Sequence, residues 1–267
     1  MTKYFLSEIN IYPIKSLGGI SLQTATVEER GLRYDRRWML VDETNRFITQ
    51  RSYPQMALIK VEKTNTGLLI NHNENILPML SIQHNFYDDE EISVQIWRDN
   101  VPALKYRGDV NDWFSKAIGI KCSLVYMPDS TKRKVNPYFA KDEIVSFADG
   151  YPFLITGEES LKDLNNRLTA PLPMNRFRPN LVFSGGNSFD EDIWKKVRIG
   201  DIEFRVAKPC ARCSVTTVNQ DSGKRGEEPL KTLAQFRNNN GEVQFGQNMV
   251  CEKTGIVNVG DEIYPLE

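Results

Sequence analysis

The sequence predicts a mainly β, α+β protein, built from barrel-like sheets with a few short helices. Three observations carry this reading. Several stretches alternate apolar and polar residues with the two-residue period of half-buried strands. Glycine and proline, 17 and 13 of them, punctuate short β-rich runs as sandwich and barrel folds require. Helical spacing is confined to three windows.

The elements follow in chain order. ISLQTATVEE, residues 20–29, alternates as one strand should, and RRWMLVDETNRFITQR, residues 36–51, places two β-rich arms around the polar turn DETN. VNDWFSKAIGI puts Trp113, Phe114, Ala117 and Ile118 on one helical face, with Gly119 as the stop. After it CSLVYMPDSTKRKVNP restarts the strand pattern, so a domain boundary is placed between residues 122 and 123. TGEESLKDLNNRL opens with Thr156 three residues before Glu159, a capping-box spacing, and groups Leu161, Leu164 and Leu168. PLKTLAQFR starts a third helix on Pro229 and stacks Leu230, Leu233 and Phe236. VRIGDIEFRVA and GIVNVGDEIYPL each turn on Gly-Asp between two strands. The acidic run Asp88 to Glu91 and the basic run Lys132 to Lys134 are read as solvated loops.

Composition narrows the function. The 267 residues can bury one large core or two modest ones, and a net charge of −1 with 26% charged residues is that of a folded soluble protein. Nucleic-acid binding is not expected, although a local basic pocket is compatible with that charge. No apolar stretch resembles a signal peptide or a membrane span, and four scattered cysteines do not make a disulfide scaffold, so a cytoplasmic setting is expected. The two histidines, His72 and His84, lie in a polar stretch and are read as solvated, against a histidine-based metal site.

KPCARCSVTT, residues 208–217, poses the chemical question, because Cys210 and Cys213 stand three apart beside Lys208 and Arg212. A structural zinc site wants four ligands in two close pairs, and Cys122 and Cys251 stand alone. A redox C-x-x-C wants a following helix, whereas SVTTV is β-branched and is read as a strand. Two buried structural thiols fit poorly beside cations. One exposed, ionised cysteine facing an anionic cofactor fits the local chemistry best. Other donor-rich stretches are Lys15 and Ser16 in YPIKSLGG, Asp35, Arg36 and Arg37 in YDRRWML, and Arg178 and Asn180 around Pro179 in RFRPNLVFSG. Each alone reads equally well as a turn, a surface ion pair or a stiff strand lip.

Taken in order, these stretches resemble the MOSC family, and within it the two-domain group of mitochondrial amidoxime-reducing components and their bacterial relatives. The resemblance runs through YPIKS, GLRYDRRWMLVD, FADGYPFLIT, FRPNLV, PCARCSVTTVNQDSG, FGQNMV and VGDEIY. FRPN and C-x-R-C-x-x-T-T-V are its most specific motifs. It implies an N-terminal β-barrel-like domain over 1–122 and a MOSC domain over 123–267, holding a molybdenum cofactor (a molybdopterin) between them. The family's metal-ligand cysteine falls on Cys213, leaving Cys210 a neighbour. Lys15, Ser16, Arg36, Arg178, Asn180 and Arg212 match positions that bind the pterin and its phosphate, with weaker matches at Asp149, Gly150, Tyr151, Gln247 and Asn248. The implied activity is reduction of N-hydroxylated small molecules such as amidoximes, hydroxylamines and N-hydroxylated bases, with Asp149 as the candidate proton donor. No iron–sulfur cysteine run, such as the plant-type C-x4-C-x2-C, and no nicotinamide fingerprint is present, so a separate ferredoxin-type or cytochrome-type electron donor with its reductase is expected. The alternative is a non-catalytic cofactor carrier or sulfur-relay module, like the C-terminal part of cofactor sulfurases. An N-terminal membrane anchor of the eukaryotic kind is not expected ahead of YPIKS.

Overall fold

The structure, a computed structural model, describes residues 2–74, 76–84 and 87–266. Seven strands close into a barrel. In order around it run Phe153–Gly157, Leu181–Ser184, Tyr4–Ile11, Glu262–Pro265, Lys196–Ile199, Ile202–Ala211 and Glu242–Cys251. The last pairs back on the first, with Phe153 opposite Met249 and Ile155 opposite Gln247. Alternate residues point inward, so Leu6, Ile9, Phe153, Ile155, Leu181, Phe183, Phe204 and Met249 fill the lumen as a packed core.

The N-terminal half adds a four-stranded antiparallel sheet, Trp38–Asp42, Cys122–Tyr126, Asp99–Tyr106 and Tyr87–Ile96 in spatial order. Beside it lie a three-stranded meander, Ile59–Lys63, Gly67–His72 and Leu80–Gln83, and helix α1, Gly108–Ile118. Trp113, Phe114, Ala117 and Ile118 of α1 are buried against this core as their spacing predicts, and Gly119 ends the helix with a left-handed φ of 83°. The two halves interleave. Tyr4–Ile11 belongs to the C-terminal barrel, and Thr24–Glu28 pairs with Gly255–Asn258. Strand Cys122–Tyr126 pairs with Trp38–Asp42, so a cut at 122/123 passes through it. Among the described residues no helix is long and apolar enough to cross a bilayer.

Several local expectations are corrected. Residues 20–29 form two strands in different sheets, Ile20–Leu22 on the barrel strand and Thr24–Glu28 beside Gly255–Asn258. The arms around DETN, by contrast, do form the expected short hairpin: Val41 bridges Phe47, the Asp42 N–H donates to the Arg46 carbonyl at 2.9 Å and the Ile48 N–H to the Leu40 carbonyl at 3.0 Å. Helix α2, Glu158–Asn165, starts from Gly157 with no side-chain cap; Thr156 stays in the preceding strand, and the Gly157 N–H donates to buried Glu191 instead. Gly255–Asn258 and Glu262–Pro265, joined by the Gly-Asp turn, enter different sheets. The acidic run lies in strand Tyr87–Ile96. His72 is buried in its strand, and the His84 ring stacks on Tyr34 at 4.7 Å. Burial pushes the His84 pKa below its ordinary value, so neither imidazole is simply solvated.

Candidate functional site

A cleft of about 270 Å³ opens where the barrel meets the N-terminal half. Six cations line it, Lys15, Arg36, Arg51, Arg178, Lys208 and Arg212, against one carboxylate, Asp149. Its wall is held in conformations that L-residues seldom adopt: Ser16, Arg36 and Arg178 have φ of 68°, 47° and 55°. Strained backbone of this kind gathers at functional sites, where surrounding structure holds it.

Buried groups behind the cleft fix these cations. Asp35 is 1% exposed, accepts two bonds from Arg36 Nη1 at 2.9 and 2.7 Å, and accepts the Tyr12 N–H. The Arg36 and Arg178 guanidiniums both lie over the Tyr12 ring, at 4.3 and 4.1 Å. Arg36 Nη2 also donates to the Arg178 carbonyl. Burial lowers the Arg178 pKa from 12.5 to about 10; Tyr12 opposes that and Arg36 adds to it. The Nη2 of Arg178 and the Nε of Arg212 are buried without a partner among the described residues. Buried donors are almost always satisfied, so two orphans in one cleft mark a place for an acceptor.

Lys15 and Asp149 form the floor. The Lys15 ammonium donates to the Phe147 carbonyl at 2.8 Å and to Asp149 at 2.5 Å. Burial pulls the Lys15 pKa down to about 8 while Asp149 resists. Burial would raise the Asp149 carboxyl, but Lys15, then Arg51 and Arg36, outweigh it and hold the carboxylate well below its usual range. Its side chain is nonetheless 58% exposed to the cleft. An ionised carboxylate is an acceptor at neutral pH, so Asp149, expected as the proton donor, stands here as an acceptor held by Lys15.

The two thiols occupy different places. Cys210 lies in strand Ile202–Ala211 and receives Arg212 Nη1 at 2.8 Å. Cys213 follows the strand, is partly exposed to the cleft, and has Arg51 Nη1 3.9 Å from its sulfur. SVTT is a 3-10 turn, Ser214–Thr217, and not the expected strand. The Thr216 and Thr217 hydroxyls donate to the carbonyls of Cys213 and Ser214 at 2.9 and 2.8 Å, and these local bonds override β-branched propensity. All four cysteines are free; Cys122 and Cys251 are buried in separate cores. Among the described residues no three His, Cys, Asp or Glu cluster as a metal-holding group.

Of the residues expected at the site, Lys15, Ser16, Arg36, Asp149, Gly150, Tyr151, Arg178, Asn180, Arg212, Cys213 and Asn248 all line the cleft. Gln247 does not. It is 1% exposed and donates to Asp192 on the other side of the sheet at 2.7 Å. Adjacent strand residues face opposite ways, so Gln247 and Asn248 cannot share the cleft. Sequence reading missed Thr49 and Arg51, which sit in a stretch read only as a hairpin arm. It also took Lys132 to Lys134 as solvated. Arg133 is buried and donates to the carbonyls of Ser146, Ala148 and Asp149, clamping the loop that presents Asp149.

Comparison with known proteins places this geometry in context. Residues 4–121 match the MOSC N-terminal beta barrel domain, and residues 142–264 the MOSC domain. Mitochondrial amidoxime-reducing component 1 of Mus musculus is 32% identical over 98% of this chain and 82% of that protein. Its counterpart component 2 of Rattus norvegicus is 31% identical over 98% and 83%. Molybdenum cofactor sulfurase of Arabidopsis thaliana is 34% identical over 98% of this chain, which spans only 35% of that protein's length.

Proposed function

The chain belongs to the MOSC family, and from that membership we propose that its cleft holds a molybdenum–pterin cofactor and reduces N-hydroxylated small molecules. One observation carries the proposal: six cations, two with buried unpartnered N–H groups, converge around a partly exposed cysteine. This donor set fits the group. A phosphate-bearing pterin offers the acceptors that Arg178 Nη2 and Arg212 Nε lack, and guanidiniums suit phosphate geometry. A soft thiolate at Cys213 suits a metal already held by sulfur.

In this reading Lys15, Arg36, Arg178 and Arg212 neutralise the cofactor's anionic end, and Ser16, Asn180 and Asn248 line its walls. Cys213 is the protein's metal ligand, and Cys210, bonded by Arg212, is a neighbour. Such a cofactor supplies two-electron oxygen removal, with electrons delivered by a separate ferredoxin-type or cytochrome-type partner. The net change is balanced: the N–O bond breaks, two electrons and two protons are consumed, and amine-type product and water leave. Asp149 stays ionised beside the open face and accepts hydrogen bonds. Burial pulls the Lys15 ammonium down to about 8, so its Nζ can release a proton close to neutral pH.

A second reading is favoured by the similarity to molybdenum cofactor sulfurase, of whose length the chain spans 35%: a cofactor carrier or sulfur-relay module. Metal and pterin analysis of the purified chain, with benzamidoxime turnover on a reduced viologen dye, separates the two. Cofactor with turnover supports the reductase; cofactor without turnover supports the carrier; absence of both sinks each.

A further inference from the structure

Trp97 occupies a position where its residue type is unfavourable. Strands Tyr87–Ile96 and Asp99–Tyr106 are joined by a two-residue loop, with Ile96 opposite Asp99. Such loops favour Gly, Asn or Asp where φ is positive. Here Trp97 has φ 56°, a genuine outlier for a bulky side chain. Nothing in the hairpin requires an indole. The side chain reaches the cleft instead: its Nε1 donates to Asp149 Oδ1 at 3.3 Å, and the Arg51 guanidinium lies 4.4 Å from its ring. Phe47 packs beside it at 5.2 Å. Even so, Trp97 is 45% exposed, whereas Trp38, Trp113 and Trp194 are at most 7% exposed.

The neighbouring carboxylate is half-used. Asp149 Oδ1 takes Lys15 and Trp97, while Oδ2 has only Arg51, at 4.0 Å, and accepts no hydrogen bond from the described residues. The rim thus offers an exposed aromatic surface next to a free carboxylate oxygen, beside the Arg51 that reaches the Cys213 sulfur. We propose that Trp97 is a specificity-determining residue: its ring stacks on planar aryl substrates while Asp149 Oδ2 accepts an N–H next to their N–OH group. This inference rests on the reductase reading and deepens it. Aryl amidoximes have both features; small alkyl hydroxylamines lack the ring. An aromatic contact of this kind is worth about a two- to twelvefold preference.

The test has two readouts on the purified chain. Because Trp97 is the exposed indole, benzamidoxime should quench part of the tryptophan fluorescence saturably, and that component should vanish in Trp97→Asn, a residue suited to the positive φ. With reduced viologen, Trp97→Asn should lower the kcat/KM ratio of benzamidoxime to N-methylhydroxylamine by about two- to twelvefold, and Trp97→Phe should restore most of it. Quenching that is absent or survives in Trp97→Asn would overturn the proposal. So would an unchanged ratio, or equal loss in both variants. If no N-hydroxylated compound is turned over, the reductase reading falls, and the quenching alone decides the binding role.

Discussion

Replacing Arg178 by methionine should make the ligand-free chain more stable and at the same time deaf to phosphate. The guanidinium is buried, its Nη2 has no partner, and its pKa stands at about 10 against an ordinary 12.5. Holding the charged form in that site therefore costs roughly 3 kcal/mol at neutral pH, at about 1.4 kcal/mol per pH unit. The sign follows from the direction: for a base whose pKa falls on folding, the cost is present in full at pH 7 and fades only as pH rises through about 10. Methionine removes the charge but also the contact with Tyr12, worth about 1–2 kcal/mol. The balance is a gain of about 1–2 kcal/mol, or a Tm higher by about 2–6 °C for a chain of this size. Thermal unfolding at pH 7, with and without inorganic phosphate, reads both effects. Wild type should gain Tm with phosphate and Arg178→Met should lose most of that gain. A variant that unfolds several degrees lower and keeps the full phosphate response would refute the reasoning, and Arg178 would be structural.

Sulfate, whose charge is constant above pH 4, should bind about tenfold more weakly once pH passes about 8 and Lys15 releases its proton; Lys15→Arg should remove that step in a calorimetric titration. In native protein, Cys210 and Cys213 should react with a thiol reagent while Cys122 and Cys251, buried and pushed up to about 11, wait for unfolding; fast loss of all four thiols would contradict the burial. Cofactor-loaded protein should be inactive on NADH alone and active with dithionite or reduced viologen, and sustained turnover by the single chain on NADH would refute the need for a separate donor.

Much of the site was legible because its residues carry their chemistry in short motifs. YPIKS, YDRRW, FRPN and CARC each hold a cation beside a turn or proline, and the cleft unites them. The barrel closure was not legible. Tyr4–Ile11 finds its partners at Leu181–Ser184 and Glu262–Pro265, and nothing local in a strand encodes a neighbour so distant in sequence. Thr216 and Thr217 misled in the opposite way, since their β-branching pointed to a strand while their hydroxyls closed a turn. Gln247 could have been excluded from the strand alternation alone. Arg133 and Trp97 could not: an arginine between two lysines and a tryptophan in a hairpin loop look like surface residues until the loop bearing Asp149 is set against both.

In the proposed reading Cys213, and not Cys210, ties molybdenum to this chain. X-ray absorption at the molybdenum edge tests it most directly, by counting sulfur neighbours of the metal in wild type, Cys213→Ser and Cys210→Ser. Cys213→Ser should show one sulfur neighbour fewer, or no retained metal, and Cys210→Ser an unchanged count. An unchanged count in Cys213→Ser, with the loss appearing in Cys210→Ser, would contradict it.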